Sequence, residues 1–278
     1  MMSFGSLDIR FDDSVLRPRP WTIAQSLWAV ELSVEVPPGA VLELCAGVGH
    51  IGLVFASSMA RDIVLVDVDV NACSHARANA LTAGIADRVD VRNGSVDEVL
   101  AADERFAVIL ADPPWVPSEE TMRFPLDPLL AIDGGKDGLD LARLCVEVIG
   151  HHLAAGGAAI LQLGHAFQAS DMGDYLDSQP QIGLRVEEVR TYGGDGVLVR
   201  LARSKSVPNP SSQQFVSAVA PGRSTRLATT AHGDDGAGDA VSDAPGIDEP
   251  IRPSDEQRSV GANGDFDRPC RHGTPTTF

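Results

Sequence analysis

Between residues 40 and 163 of this 278-residue chain, short apolar runs alternate with segments of helical spacing. That alternation constrains the fold more than any other feature. Residues 40–44, 62–67 and 106–111 read as strands, and 88–92 as a shorter one. Residues 51–59 and 72–83 read as helices between them, the second stopped by Gly84. A further helix is predicted over 139–153, after which Gly156-Gly157 turns into a strand at 158–163. Strands separated by helices imply a mostly parallel sheet covered on both faces. Two last strands, 185–190 and 197–202, have only a short Gly-rich connection and imply an antiparallel hairpin at one edge. The predicted class is α/β, a doubly wound sheet with that C-terminal edge hairpin.

The pattern stops near residue 203. Beyond it, segments such as Val207-Pro208-Asn209-Pro210-Ser211 and Ala231-His232-Gly233-Asp234-Asp235 hold few large apolar residues. Such a stretch cannot offset the entropy of ordering. The expected organisation is one domain over 1–203 and a disordered low-complexity tail over 204–278. The four cysteines are scattered, with no zinc-ligand spacing, and no metal is expected. The first residues lack a basic segment followed by an apolar one, and no run is long enough to span a bilayer. A cytoplasmic monomer is the expectation. The net charge of -17 argues against a large nucleic-acid footprint, which needs many Lys and Arg.

The first strand-to-helix turn is Glu43-Leu44-Cys45-Ala46-Gly47-Val48-Gly49-His50-Ile51-Gly52. Glycines there let the backbone approach a ligand and aim N–H groups from the helix start. Read as Gly47-x-Gly49-x-x-Gly52 with Asp67 ending the next strand, this is a dinucleotide fingerprint and points to an NAD-dependent oxidoreductase. Glu43 favours a different ligand, because a carboxylate beside a pyrophosphate gains nothing. A cationic cofactor such as S-adenosylmethionine would gain, with Glu43 near its methionine end and Asp67 accepting from the ribose hydroxyls. A cofactor-binding protein without catalysis is the remaining alternative.

The strand at 106–111 runs into Asp112-Pro113-Pro114-Trp115. Two prolines remove two donors and hold the chain extended at the ligand-binding edge of the sheet. An acid, rigid carbonyls and an indole there are suited to gripping a planar group that carries N–H₂. A plain Pro-Pro turn is the other reading of the tetrapeptide.

With these residues in view, the chain resembles class I S-adenosylmethionine-dependent methyltransferases, and the HemK-type protein-(glutamine-N5) methyltransferases in particular. Pro18-Arg19-Pro20-Trp21-Thr22 is similar to that family's P-R-P-E-T segment, and Asp112-Pro113-Pro114-Trp115 to its N-P-P-Y. Asp133-Gly134-Gly135-Lys136-Asp137-Gly138-Leu139 matches its D-G-G-x-D-G-L, and residues 192–199 resemble its final hairpin. The resemblance implies a Rossmann-like fold, S-adenosyl-L-methionine as cofactor, and methylation of a protein glutamine such as that of a release factor. By the same resemblance Glu43, Cys45, Ala46, Gly47, Gly49, Asp67, Val68, Ser95 and Asp112 hold the cofactor. Pro20, Thr22, Asp112, Pro113 and Trp115 bind the substrate, and Asp112, Pro113, Pro114 and Trp115 form the catalytic segment.

The departures are specific. The expectation is a version without the family's helical N-terminal substrate domain. Trp21 and Gln162 each stand where the family has Glu, Ser95 where it has Asp, and Asp112 where it has Asn. The D-P-P-W form also occurs in amino-group methyltransferases, so adenine-N6 or a small metabolite is the alternative acceptor. Arg17 and Arg19 are expected near the mouth of the site. His151-His152 is expected on a solvated face, His165 at the functional edge of the sheet, and Cys45 as a small buried filler.

Overall fold

A computed structural model of the chain describes residues 1–192 and 196–204. The expectation for the tail at 204–278 lies outside the described residues, Ser204 apart. The chain begins with a small hairpin of β1 (Met2–Phe4) and β2 (Leu7–Ile9) and continues to helix α1 (Ile23–Ser33). The alternating region follows: β3 (Val41–Leu44), α2 (His50–Ser58), β4 (Ile63–Asp67), α3 (Val70–Thr82), β5 (Val89–Asn93) and β6 (Phe106–Ala111). After a short helix α4 (Leu129–Ile132) come α5 (Asp140–His152), β7 (Leu153–Leu163), α6 (Ala166–Ser178), β8 (Leu184–Thr191) and β9 (Val197–Arg203).

The seven-stranded sheet has the order β5-β4-β3-β6-β7-β9-β8. β5 through β7 are parallel, and β9 and β8 are antiparallel additions at the edge. Successive residues of the central strands face opposite layers. Leu42, Leu44, Ile109 and Ala111 pack with Val146 and Ile149 of α5. Val41, Val108 and Leu110 pack with Trp28 of α1 and with Leu53 and Phe55 of α2. Both faces of these strands are dry, which is why they read as unbroken apolar runs rather than alternating ones.

The chain order reverses around β3, whose neighbours are β4 and β6, and that reversal opens a crevice at the carboxyl edge. In register, Leu44 lies opposite both Val66 and Ala111. The residues that follow these strands therefore converge: Cys45 and the glycine turn, Asp67, and Asp112.

The sequence reading missed four features, the β1–β2 hairpin, α1, α4 and α6. All carry their apolar residues without a strong strand or helix signature. It also placed Gly156-Gly157 before a strand starting at 158. The strand starts instead at Leu153, and a shift in register between Phe106 and Val108 absorbs the extra residues.

Candidate active site

The glycine turn is built from left-handed residues. Cys45, Gly47 and Gly49 have φ of 58°, 53° and 78°. For Cys45 that conformation is unfavourable and is held by its surroundings. At the turn's end, an added Cβ on Gly52 would lie 2.2 Å from Glu43 Oε2, so only glycine lets α2 approach β3. The Gly52 N–H donates to Glu43 Oε2 at 3.0 Å, while Oε1 is enclosed without a partner. Burial, joined by the charges of Asp112 and Asp67, pushes the Glu43 carboxyl well above the usual range. Asp67 accepts from Gly47 N at 2.7 Å and from Asp69 N at 2.8 Å, and burial raises its carboxyl despite these donors.

Asp112 leaves β6 with its N–H on Leu44 O at 3.3 Å. Its Oδ1 accepts from Gln162 Nε2 at 2.6 Å, and loss of solvent pushes the carboxyl up to about 7. The next residues are braced from three directions. Val116 N–H donates to Ile132 O and Gly134 N–H to Val116 O, at 3.0 and 2.9 Å. Gly138 has φ 76°, and a Cβ on it would lie 2.2 Å from Trp115 O. Gly164 sits under the indole, where a Cβ would lie 2.1 Å from Trp115 Cε3. Gln168 of α6, wholly buried, donates to Trp115 O at 2.9 Å. The Gly-rich segment at 133–138 thus clamps the strand-end motif. On its outer side the Trp115 ring meets His165 edge-on at 5.8 Å, and His165 stacks on Phe167 at 5.2 Å.

Between the turn and Asp112 lies a cavity of about 320 Å³, within the range of small-molecule sites. Cys45, Gly47, Asp67, Val68, Ser95 and Asp112 line it at the sheet's carboxyl edge. Residues 15–19 and Pro128, Leu130 and Ala131 complete the lining from two other segments. Arg19 pairs with Asp127 and joins these two segments. Asn79 of α3 ties the chain just after β2 to the glycine turn. Its Oδ1 accepts from Arg10 N at 2.8 Å, and its Nδ2 donates to Arg10 O and Val48 O at 3.1 and 3.0 Å. His50, at the start of α2, also lines the cavity and meets Thr22 Oγ1 at 3.2 Å. Burial pushes its imidazole down to about 3, so it is neutral at ordinary pH.

Of the residues expected from sequence, Thr22, Cys45, Gly47, Asp67, Val68, Ser95, Asp112 and Pro114 line the cavity, as do Arg17 and Arg19. Glu43, Ala46, Gly49 and Pro113 are buried behind its wall, and Pro20 and Trp115 flank it. Cys45 is half-buried rather than a filler, and its Sγ lies 4.0 Å from Cys145 Sγ. His152 is buried against Glu104 O, not solvated, because α5 turns its last residue toward β6. Sequence reasoning missed His50, Val15 and the lining at 128–131. Only His50, next to Gly49, carried a local signal.

Residues 23–128 match the family of the methyltransferase small domain. The release factor glutamine methyltransferase of Bradyrhizobium diazoefficiens is 34% identical over 170 residues, 58% of this chain and 57% of that one. The ribosomal protein uL3 glutamine methyltransferase of Bordetella pertussis is 32% identical over 129 residues, 45% and 43% of the two chains. The chain thus spans about half the length of these curated relatives. Among solved structures, a methyltransferase from Pyrococcus furiosus superposes with a TM-score of 0.53 at 19% identity, covering 70% of this chain and 87% of the other. Over residues 23–128 the chain is thus similar to methyltransferase small domains, and its sheet shares the fold of the Pyrococcus furiosus methyltransferase.

Proposed function

We propose that this chain is an N-methyltransferase that uses S-adenosylmethionine to methylate a protein glutamine, in the manner of the release factor and ribosomal protein enzymes it resembles. One observation carries the reading. The carboxylate of Asp112, followed by two prolines and a braced indole, lines the same cavity as the glycine turn and Asp67.

The cavity's chemistry fits this cofactor better than a dinucleotide. The N–H groups of Gly47 and Gly52 are already held by Asp67 and Glu43, so they are not free to cradle a pyrophosphate. Two of the acids at the carboxyl edge, Asp67 and Asp112, line the cavity, which suits a group carrying a sulfonium and an ammonium. No Cβ-sized obstacle lies within 4 Å of Gly47, leaving its backbone open to a ligand. In this reading Asp67 takes the ribose hydroxyls, Val68 and Ser95 flank the base, and Glu43 stiffens the turn from behind.

When bound, the cofactor supplies an electrophilic methyl group on sulfur. An amide nitrogen is a poor nucleophile because its lone pair is delocalised. Asp112 and the Pro113 carbonyl accept its N–H groups, which aims the nitrogen and stabilises positive charge as it develops. Trp115, fixed by Gly164 and Gly138, gives the planar group a flat wall. The domain runs over 1–203, works as a monomer, and belongs to the cytoplasm, where a release factor or ribosomal protein is at hand. Among the described residues no helix is long and apolar enough to cross a membrane.

Incubation of the protein with methyl-labelled cofactor and a crude extract tests the acceptor. Label is expected in protein and, after digestion, in glutamine. Label in nucleic acid or in small metabolites would remove the glutamine assignment and favour the amino-group alternative. Calorimetry is expected to give binding heat with S-adenosylmethionine and none with NAD. Asp112→Ala should slow transfer by about 100-fold or more while cofactor affinity stays within a few-fold.

A further inference from the structure

Asp112 and Gln162 are both positions where the chain departs from the family pattern, and they share one hydrogen bond across 50 residues. β6 and β7 are parallel neighbours with Ala111 opposite Leu161, so the next residue of each strand falls side by side. Gln162 is 1% exposed and has no freedom to turn toward solvent. Its Nε2 donates to Oδ1 of Asp112 at 2.6 Å, and its Oε1 is enclosed without a partner. Asp112 Oδ2 has no hydrogen-bond partner among the described residues and is not an enclosed orphan, and Asp112 lines the cavity. The two oxygens of one carboxylate are thereby made unequal.

We propose that Gln162 is a positioning residue that commits Oδ1 of Asp112 to the protein and presents Oδ2 to the acceptor nitrogen as hydrogen-bond acceptor and proton sink. The inference deepens the methyl-transfer reading and rests on it for the role of Oδ2. As the nitrogen–methyl bond forms and the sulfur–methyl bond breaks, the nitrogen sheds one proton, which goes to Oδ2 and from there to solvent. An asparagine at 112 has no oxygen able to take that proton at neutral pH. The amide of Gln162 is neutral, so it orients the carboxylate without cancelling its charge. The ionisable groups around Asp112 are Glu43 on β3, Cys45 in the glycine turn, Asp67 and Asp69 after β4, His50 on α2, and Arg17 and Arg19 on the segment at 15–19. Of the two guanidiniums, Arg19 is paired with Asp127, and neither bonds to Asp112 among the described residues. α1 contributes the neutral Gln25, which donates to Ala111 O and Ile160 O. Gln162 is the side chain that donates to the Asp112 carboxylate, and its N–H favours the ionised form against the loss of solvent that raises it.

The coupling is read without substrate or cofactor, by carbon-13 NMR titration of the full-length protein labelled at aspartate carboxyls. The Asp112 signal is assigned by its loss in D112N. Gln162→Leu removes the donor and should raise the Asp112 midpoint by about one pH unit. Gln162→Glu places two carboxyls on one proton and should split the titration into two steps, the upper at least about two units above the wild-type midpoint. The double variant D112N/Q162E restores an amide–carboxylate pair and should melt near the wild type. In labelled methyl transfer at pH 7, Gln162→Leu should lower kcat about tenfold, with cofactor Kd within about twofold and the pH profile moved to the alkaline side. An Asp112 midpoint that stays within about 0.3 unit in both single variants overturns the pairing. Shifted midpoints with an unchanged pH profile keep the pairing but overturn the proton-sink role. Absence of any transfer by the wild type, with the midpoints shifted, would instead strike at the methyl-transfer reading.

Discussion

Asp112 concentrates the chemistry of the cavity in one titrating group. Its carboxyl is pushed up to about 7 by loss of solvent, against an ordinary value of 3.8. The fold therefore disfavours the charged form. Folding free energy attributable to this group is highest below about pH 4 and is lost as pH rises through about 7. Asp112→Asn removes that penalty. The variant should gain stability relative to wild type between pH 5 and pH 8, by roughly 2–4 kcal/mol at the upper end, in urea unfolding at the two pH values. An equal difference at both would show that Asp112 is not desolvated. The same midpoint bears on rate: transfer should climb with pH up to about 7 and then level, as the ionised carboxylate becomes the dominant form.

Two glycine-bearing elements divide the labour of the site, and their substitutions should have separable effects. Gly52→Ala drives a methyl against Glu43 Oε2 and Ile63 Cδ1, which forces α2 away from β3 and spoils the turn. Cofactor affinity should fall about tenfold or more by calorimetry, because the turn's backbone no longer lines up. Gly138→Ala combines a left-handed φ with a Cβ 2.2 Å from Trp115 O. It should cost about 1–2 kcal/mol in stability and most of the turnover, yet leave cofactor affinity within a few-fold. If both variants lost cofactor equally, the brace at 133–138 and the turn would be one functional unit instead of two. The third element is the anchor at Asn79, whose buried amide makes three hydrogen bonds, two to Arg10 and one to Val48 of the turn. Asn79→Ala leaves Arg10 and Val48 backbone groups without partners and should destabilise by about 2–3 kcal/mol in denaturant unfolding.

At the scale of the whole molecule, the described part is a small hairpin and a seven-stranded sheet whose central strands are dry on both faces and converge at one edge. The proposed boundary at 203 makes a direct prediction. A fragment of residues 1–204 should bind S-adenosylmethionine within about twofold of the full chain, since the cavity is lined by residues 15–141 among the described residues. A large loss of affinity would show that the remaining segment contributes to the site.

Much of this architecture was legible in the sequence, for local reasons. Apolar runs such as Phe106–Ala111 mark strands buried on both faces, and Gly84 marks a helix end, because period and left-handed φ are properties of a few neighbouring residues. The same holds for the glycine turn, Asp67 and Asp112, which occupy strand ends that an open parallel sheet must gather at one edge. What the sequence could not determine depends on register between distant segments. Gln162 meets Asp112 because β6 and β7 align as they do, and Gly134, Gly138 and Gly164 are glycines because Pro114 and Trp115 arrive against them. Asn79 anchors Arg10 across 69 positions, and residues 15–19 and 128–131 close the cavity from segments without a periodic signal. Spacing along the chain encodes where a strand ends. Only the packed structure decides which side chains, carried there by different strands, share a hydrogen bond.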